Sequence, residues 1–188
     1  MLAALAAYRP GDAEEADHVQ RVRALVVEHG DPWSRQQPLH VTASALVVHP
    51  PTRRVLLRWH ARMRMWLQVG GHGDPGERDP WLIARREAEE ETGLVDLVPL
   101  TPDLAARLVQ VVIVPVPAFG AEGAHEHADL RYVLATSRPD DAVAESPAAV
   151  LRWMTLDQAL TDTEPNVAEF VRRIAGLLDR SPRSEGRG

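Results

Sequence analysis

The 188-residue chain reads as an α/β or α+β protein, and three observations carry that reading. Segments of strand length, rich in β-branched and apolar residues, recur from residue 40 onward. One helical stretch with its own start and stop signals interrupts them between Asp79 and Gly93. A second helical stretch with an apolar face closes the chain after Pro165. Strands broken by a central helix and closed by a terminal one build layered architectures.

The elements follow in order. Over residues 15–29, Val19, Val22, Leu25 and Val26 recur at helical spacing until Gly30, which predicts a helix within an N-terminal extension, residues 1–39, packed on the domain. Residues 40–48 are β-branched and apolar and predict a strand; Pro50 and Pro51 break it, and residues 55–59 return. Residues 65–69 predict a short strand running into Gly70 and Gly71. Asp79 suits an N-cap, Pro80 a first helical position and Gly93 a C-terminal stop, so a helix is expected over 80–92. Residues 108–117 predict a buried strand with prolines at its end. Residues 127–135 predict another, 138–147 a polar loop and 150–154 a strand. Val167, Phe170, Val171, Ile174, Leu177 and Leu178 define the face of a helix over 165–179. The expected organisation is one domain with its core at 40–160 and a disordered tail at 180–188.

Composition narrows the function. A net charge of −6 supplies no basic stripe for a nucleic-acid polymer, yet a small phosphorylated ligand stays compatible if bound metal brings positive charge. With no cysteine, disulfides and thiolate metal sites are excluded. No apolar run approaches the ~18 residues of a membrane span. The N-terminus turns acidic early and lacks the basic start of a secretion signal, so a cytoplasmic location is expected.

The most informative segment is GGHGDPGERDPWLIARREAEEETGL, beginning at Gly70. Glu87, Glu90 and Glu91 stand at i, i+3 and i+4, where like charges repel by roughly 0.2–0.5 kcal/mol per pair. A helix has no reason of its own to gather them; a divalent cation does. At 100° per residue the three lie within an arc of about 100°. Trp81, Ala84 and Ala88 form an apolar stripe beside them. Hard cations such as Mg²⁺ or Mn²⁺ take such oxygen ligands.

This segment resembles the box of the Nudix hydrolases, which it matches over residues 71–94: Gly71 and Glu77 in the first half, Arg86, Glu87, Ala88, Glu90, Glu91, Gly93 and Leu94 in the second. Eight residues rather than seven separate Glu77 from Arg86. The extra one falls in the Arg78 and Asp79 stretch before Pro80, where it lengthens the loop without disturbing the register of the glutamates.

The resemblance implies an α/β/α sandwich around a mixed sheet. It also implies a divalent-metal-dependent hydrolase that uses water to cleave a pyrophosphate bond in a nucleoside diphosphate linked to another group. Glu87, Glu90 and Glu91 would be metal ligands together with the carbonyl of Gly71. Glu77 and Arg86 would orient those carboxylates, and this pair is where the extra residue bears. Relatives that have lost the box sense nucleotides instead, which keeps a catalytically weak binding or regulatory module as the alternative reading; a homodimer is also within the family pattern. Outside the box, His72, Arg64, His127 and Asp129 are substrate-binding candidates. Against them stand ordinary roles: a hydrogen-bonded histidine, a solvated arginine, and a polar strand face in which Asp129 pairs with Arg131.

Overall fold

Both faces of the central strand are covered, and the rest of the fold is arranged around that fact. The computed structural model describes residues 1–180. Strand β1 (Leu39–His49) runs parallel to β7 (His125–Ala135) from Leu39 opposite Glu126 to Val48 opposite Ala135. Val41, Ala43, Ala45 and Val47 enter one core, while Leu46 and Val48 enter another on the opposite face. A strand covered twice reads as a continuous apolar run, which is why 40–48 is legible as a strand.

Six further strands complete an eight-stranded mixed sheet. β2 (Arg54–His60) lies antiparallel to the far end of β1 after the Pro50–Thr52 turn. β3 (Met65–Leu67) pairs with β2, but β4 (Val69–Gly71) pairs with β1. The single strand expected at 65–69 is thus two, divided at Gln68, where the chain changes partner and the side-chain amide turns to Asp129 at 3.0 Å. β5 (Val98–Pro99) and β6 (Gln110–Val116) flank β7, and β8 (Val150–Thr155) pairs with β2.

Helices α1 (Leu2–Ala7), α2 (Ala13–Glu28) and α3 (Pro80–Thr92) cover the first face through Leu5, Val19, Val22, Leu25, Ile83, Ala84 and Ala88. Helices α4 (Leu156–Asp162) and α5 (Pro165–Arg180) cover the second through Ala159, Val167, Phe170, Val171 and Ile174. The result is the α/β/α arrangement, with two cores separated by the sheet. Arg180, expected at the start of a tail, closes α5, and the remainder of that tail lies outside the described residues. Among the described residues no helix is long and apolar enough to cross a membrane.

Three elements had no counterpart in the sequence reading: α1, β5 and α4. The first two are short pieces without a periodic signal. The third carries one: Thr155 and Gln158 form a reciprocal capping box, the S/T-x-x-E/Q signature of a helix start.

The N-terminal helices belong to the body of the fold. Glu15 of α2 is buried and accepts from Gly11 N at 2.6 Å, Val111 N of β6 at 3.0 Å and Arg173 Nη1 of α5 at 2.9 Å, with Tyr8 donating to it as well. One carboxylate therefore ties α2 to a strand and to the helix on the far face. Removing one member of a buried pair leaves the other charge uncompensated and costs about 3–5 kcal/mol. Glu15→Ala is expected to lower stability by about 3 kcal/mol in urea unfolding, the low end because Arg173 keeps Glu169 at 3.1 Å. A loss below about 1 kcal/mol would show that the extension is not fastened there.

Candidate active site

Helix α3 begins and ends where its sequence dictates. Asp79 accepts from Trp81 N at 2.9 Å, Pro80 occupies the first turn, and Gly93 takes the left-handed conformation (φ 67°) with its N–H on Glu89 O at 2.9 Å. Its apolar stripe lies on the sheet. The acidic edge is thereby directed at β4 and the loop that follows.

Arg86 organises that edge. Its guanidinium takes both oxygens of Glu77, Nε to Oε1 at 3.1 Å and Nη2 to Oε2 at 3.0 Å. It also reaches Glu87 at 3.0 Å, Glu90 at 2.9 Å and the carbonyl of His72 at 3.1 Å. The extra residue before Pro80 leaves the bidentate contact with Glu77 in place, and Arg86 holds the carboxyl of Glu77 below its usual range.

Glu87 lies against Gly71 so closely that a Cβ there would fall 2.6 Å from Glu87 Oε2. A side chain there would have to displace this carboxylate. Gly70 is required for a different reason: its φ of 147° suits no side chain, and a Cβ would strike the Ala43 carbonyl oxygen at 2.6 Å. The N–H of Gly70 donates to Glu91 Oε2 at 3.0 Å, and Arg58 lies 3.3 Å from Glu91 Oε1. Burial pushes the carboxyl of Glu91 up to about 7 and that of Glu87 above its usual range. Glu90 remains exposed at the outer side of the group.

Glu91, Gly70 and Gly71 form one end of a cleft of about 310 Å³. Arg58, His60 and Arg62 line it, together with the apolar surface of Met63, Met65, Leu67, Val114 and Val116. Its floor is the parallel pair β1 and β7, where His40 opposes His127, Thr42 opposes Asp129 and Ser44 opposes Arg131. The same face becomes apolar one step on, at Leu46 and Val48, where the second core begins.

Asp129 is buried and accepts from Thr42 at 3.2 Å, Ser44 at 2.9 Å, Gln68 at 3.0 Å and Arg131 at 2.8 Å. Arg131 continues to Gln110 at 2.9 Å and Asn166 at 2.9 Å. The paired reading of Asp129 and Arg131 is the one the structure displays, inside the cleft floor.

The remaining candidates separate. His72 and His127 line the cleft. Arg64 sits in the turn between β2 and β3 with a φ of 55° and is not among the lining residues, whereas Arg58 and Arg62 are. His72 and His127 belong to a cluster with His40 and His125, ring centroids 4.9–5.2 Å apart. Burial lowers the imidazolium pKa of His40, brings that of His127 to about 4 and that of His72 to about 3, so these rings are neutral near pH 7.

The structure therefore brings Gly71, Glu77, Arg86, Glu87, Glu90 and Glu91 together around one loop. A reading of the sequence missed His40, Ser44, Gln68 and Asn166. None of them carries a local motif, and only the sheet register joins them to the site. A second cavity of about 710 Å³, between α1 and α5, shares no lining residue with this cleft.

Residues 38–174 match the NUDIX domain, well over half of the chain. Solved structures share the fold. An Ap4A hydrolase from C. elegans, seen as a binary complex, has 20% identity and a TM-score of 0.57 over 74% of this chain and 97% of that one. A NUDIX-family hydrolase from Clostridium perfringens has 22% identity and a TM-score of 0.55 over 73% and 97%. The dihydroneopterin triphosphate pyrophosphohydrolase of E. coli has 18% identity and a TM-score of 0.55 over 73% and 94%. Among curated proteins none matches the chain.

The environment of Glu91 predicts a pH signature in metal-free protein. Its folded pKa of about 7 lies above the unfolded value of about 4.3. The fold thus favours the protonated carboxyl, and the penalty for ionising it grows as pH rises from about 4.3 to about 7 and then levels off. Glu91→Gln removes that penalty. In EDTA, the variant is expected to match the native protein in urea unfolding near pH 4 and to exceed it by roughly 3–4 kcal/mol at pH 8. A difference that does not change with pH would contradict this.

Proposed function

The chain belongs to the Nudix family, and we propose that it is a divalent-metal-dependent pyrophosphohydrolase acting on a small phosphorylated substrate, a nucleoside diphosphate linked to another moiety. The observation that carries the reading is the seating of Glu87 against Gly71, 2.6 Å from where a Cβ would stand. It seats a carboxylate of α3 against the backbone of the glycine loop beside the cleft. Glu90 and Glu91 follow on the same helix edge. All the donors are oxygens, which suits Mg²⁺ or Mn²⁺.

Glu87, Glu90, Glu91 and the Gly71 carbonyl would hold the metal. When bound, it would neutralise phosphate charge and lower the pKa of the attacking water. The chain supplies the rest. Arg86, fixed bidentately by Glu77, aligns Glu87 and Glu90. Outer-shell partners of this kind are worth 10–100-fold in metal affinity or activity. Arg58 and Arg62 give the cleft cationic groups for phosphate oxygens, and the methionine and valine surface gives the leaving moiety an apolar wall. Water adds to phosphorus, the bridging P–O bond breaks, and two phosphorylated products leave. Two structural neighbours, an Ap4A hydrolase and a triphosphate pyrophosphohydrolase, support this substrate class.

The test is hydrolysis of nucleoside triphosphates, nucleotide sugars, ADP-ribose and dinucleotide polyphosphates, with both phosphorylated products separated by chromatography, with Mg²⁺ or Mn²⁺ and with EDTA. Turnover of one class is expected, abolished by EDTA and by Glu90→Gln or Glu91→Gln. Arg86→Gln is expected to reduce it by 10–100-fold. No turnover on any substrate, with ligands still raising the melting temperature, would mean a nucleotide-binding module instead.

A further inference from the structure

We propose that His40, His125 and His127 form a second cation site, separate from the glutamate edge, that takes a transition-metal dication of the Zn²⁺ type. One ring nitrogen from each of the three lies within 4.8 Å of the others. The proposal rests on geometry independent of the hydrolase reading.

The tautomers are fixed by the backbone. His40 Nδ1 lies 3.0 Å from the carbonyl of Gln37, and His125 Nδ1 lies 2.9 Å from that of Gly123. A carbonyl only accepts, so each Nδ1 carries the hydrogen, which leaves Nε2 as the nitrogen that can ligate; His125 Nε2 also lies 3.8 Å from Glu122 Oε1. Both Nε2 atoms are aimed into the cluster: His40 Nε2 is 3.0 Å from His72 Nε2, and His125 Nε2 is 3.1 Å from His127 Nε2. A metal-bound histidine almost always donates its other ring N–H to a carbonyl or carboxylate, and two of these rings already do so.

The spacing suits a metal. Two nitrogens on one tetrahedral Zn²⁺ at about 2.0–2.1 Å stand about 3.3 Å apart, close to the 3.1 Å between the Nε2 atoms of His125 and His127, and a ring nitrogen of His40 lies within 4.8 Å of both partners. His72 meets His40 Nε2 at 3.0 Å from outside this group of three. Imidazole suits Zn²⁺, Cu²⁺ or Ni²⁺, whereas the carboxylates of α3 suit Mg²⁺ and Mn²⁺, so excess Mg²⁺ can fill the carboxylates while Zn²⁺ is titrated. Three supports hold the rings: β1 carries His40, the parallel β7 carries His125 and His127 with His127 directly opposite His40, and the loop after β4 carries His72. Since His127 also lines the cleft, a cation here would stand beside the same cavity.

In the test, the full chain is stripped with EDTA, dialysed into excess Mg²⁺ and titrated with Zn²⁺, with bound metal measured directly. Co²⁺ is titrated in parallel, and its visible absorption reports tetrahedral nitrogen ligation without any variant. One Zn²⁺ per chain in the presence of Mg²⁺ is expected, with intense Co²⁺ bands. The His125→Gln, His127→Gln double variant should bind at least 100-fold more weakly, while Glu90→Gln should bind as the native chain does. If the double variant fails to fold, the native Co²⁺ spectrum decides alone. Absence of Zn²⁺ uptake, weak octahedral Co²⁺ bands, or unchanged binding in a folded double variant would each overturn the proposal.

Discussion

The guanidinium of Arg86 is the contact on which the acidic edge depends. Glu77, Glu87 and Glu90 all lie within 3.1 Å of it, and without a fixed positive charge among them three carboxylates on one loop and one helix turn would spread apart. Its planar fork can satisfy several oxygens at once, which a lysine ammonium cannot do in the same geometry. Arg86 also binds the carbonyl of His72, so it fastens the glycine loop to the helix as well as the helix to itself. The helix propensity of α3 alone would not produce this arrangement. Its cap, its apolar stripe and this one side chain do.

The sheet explains why the loop lies where it does. β4 pairs with the near half of β1 and β2 with its far half, so the chain must jump between partners at Gln68. That jump aims Gly70 and Gly71 at α3. It also frees the Gln68 amide for Asp129, which locks the floor of the cleft through Arg131 to Asn166 on α5. A buried charged network of this kind is stable only when each member is satisfied. Asp129 meets that condition with four donors, whereas Gln68 Oε1 is buried without a partner among the described residues.

Much of this was legible before any coordinates. The bounds of α3 follow from Asp79, Pro80 and Gly93, signals that depend only on neighbours in sequence. β1 and β7 declare themselves because both faces are buried. The acidic register of Glu87, Glu90 and Glu91 needs only a helical period. What could not be read was the pairing across long stretches of chain. His40 and His127 are far apart in sequence and opposite each other in space because β1 and β7 are parallel, and nothing local in either strand announces that register. The same holds for Ser44 and Gln68 at Asp129. Arg58, Arg62 and Arg64 all flank the glycine loop in sequence, and the turn between β2 and β3 leaves only Arg58 and Arg62 of the three among the cleft-lining residues.

The glycine loop has a further consequence, because consecutive residues serve different chemistries. Gly71 lies against Glu87 of α3, while His72 turns its ring to His40 of β1 and His127 of β7. Arg86 grips the carbonyl of His72 between the two. Any displacement of this loop therefore alters both donor sets together: drawing Gly71 away from Glu87 also moves the His72 ring relative to His40. The extra residue before Pro80 fits this logic. Additional length is accommodated beyond Glu77, at the exposed Arg78 and Asp79, where it changes neither the approach of Gly71 to Glu87 nor the position of His72. An insertion between Gly71 and Glu77 would have no such refuge, because Asp74 N and Arg86 both hold Glu77 and fix the span of that turn.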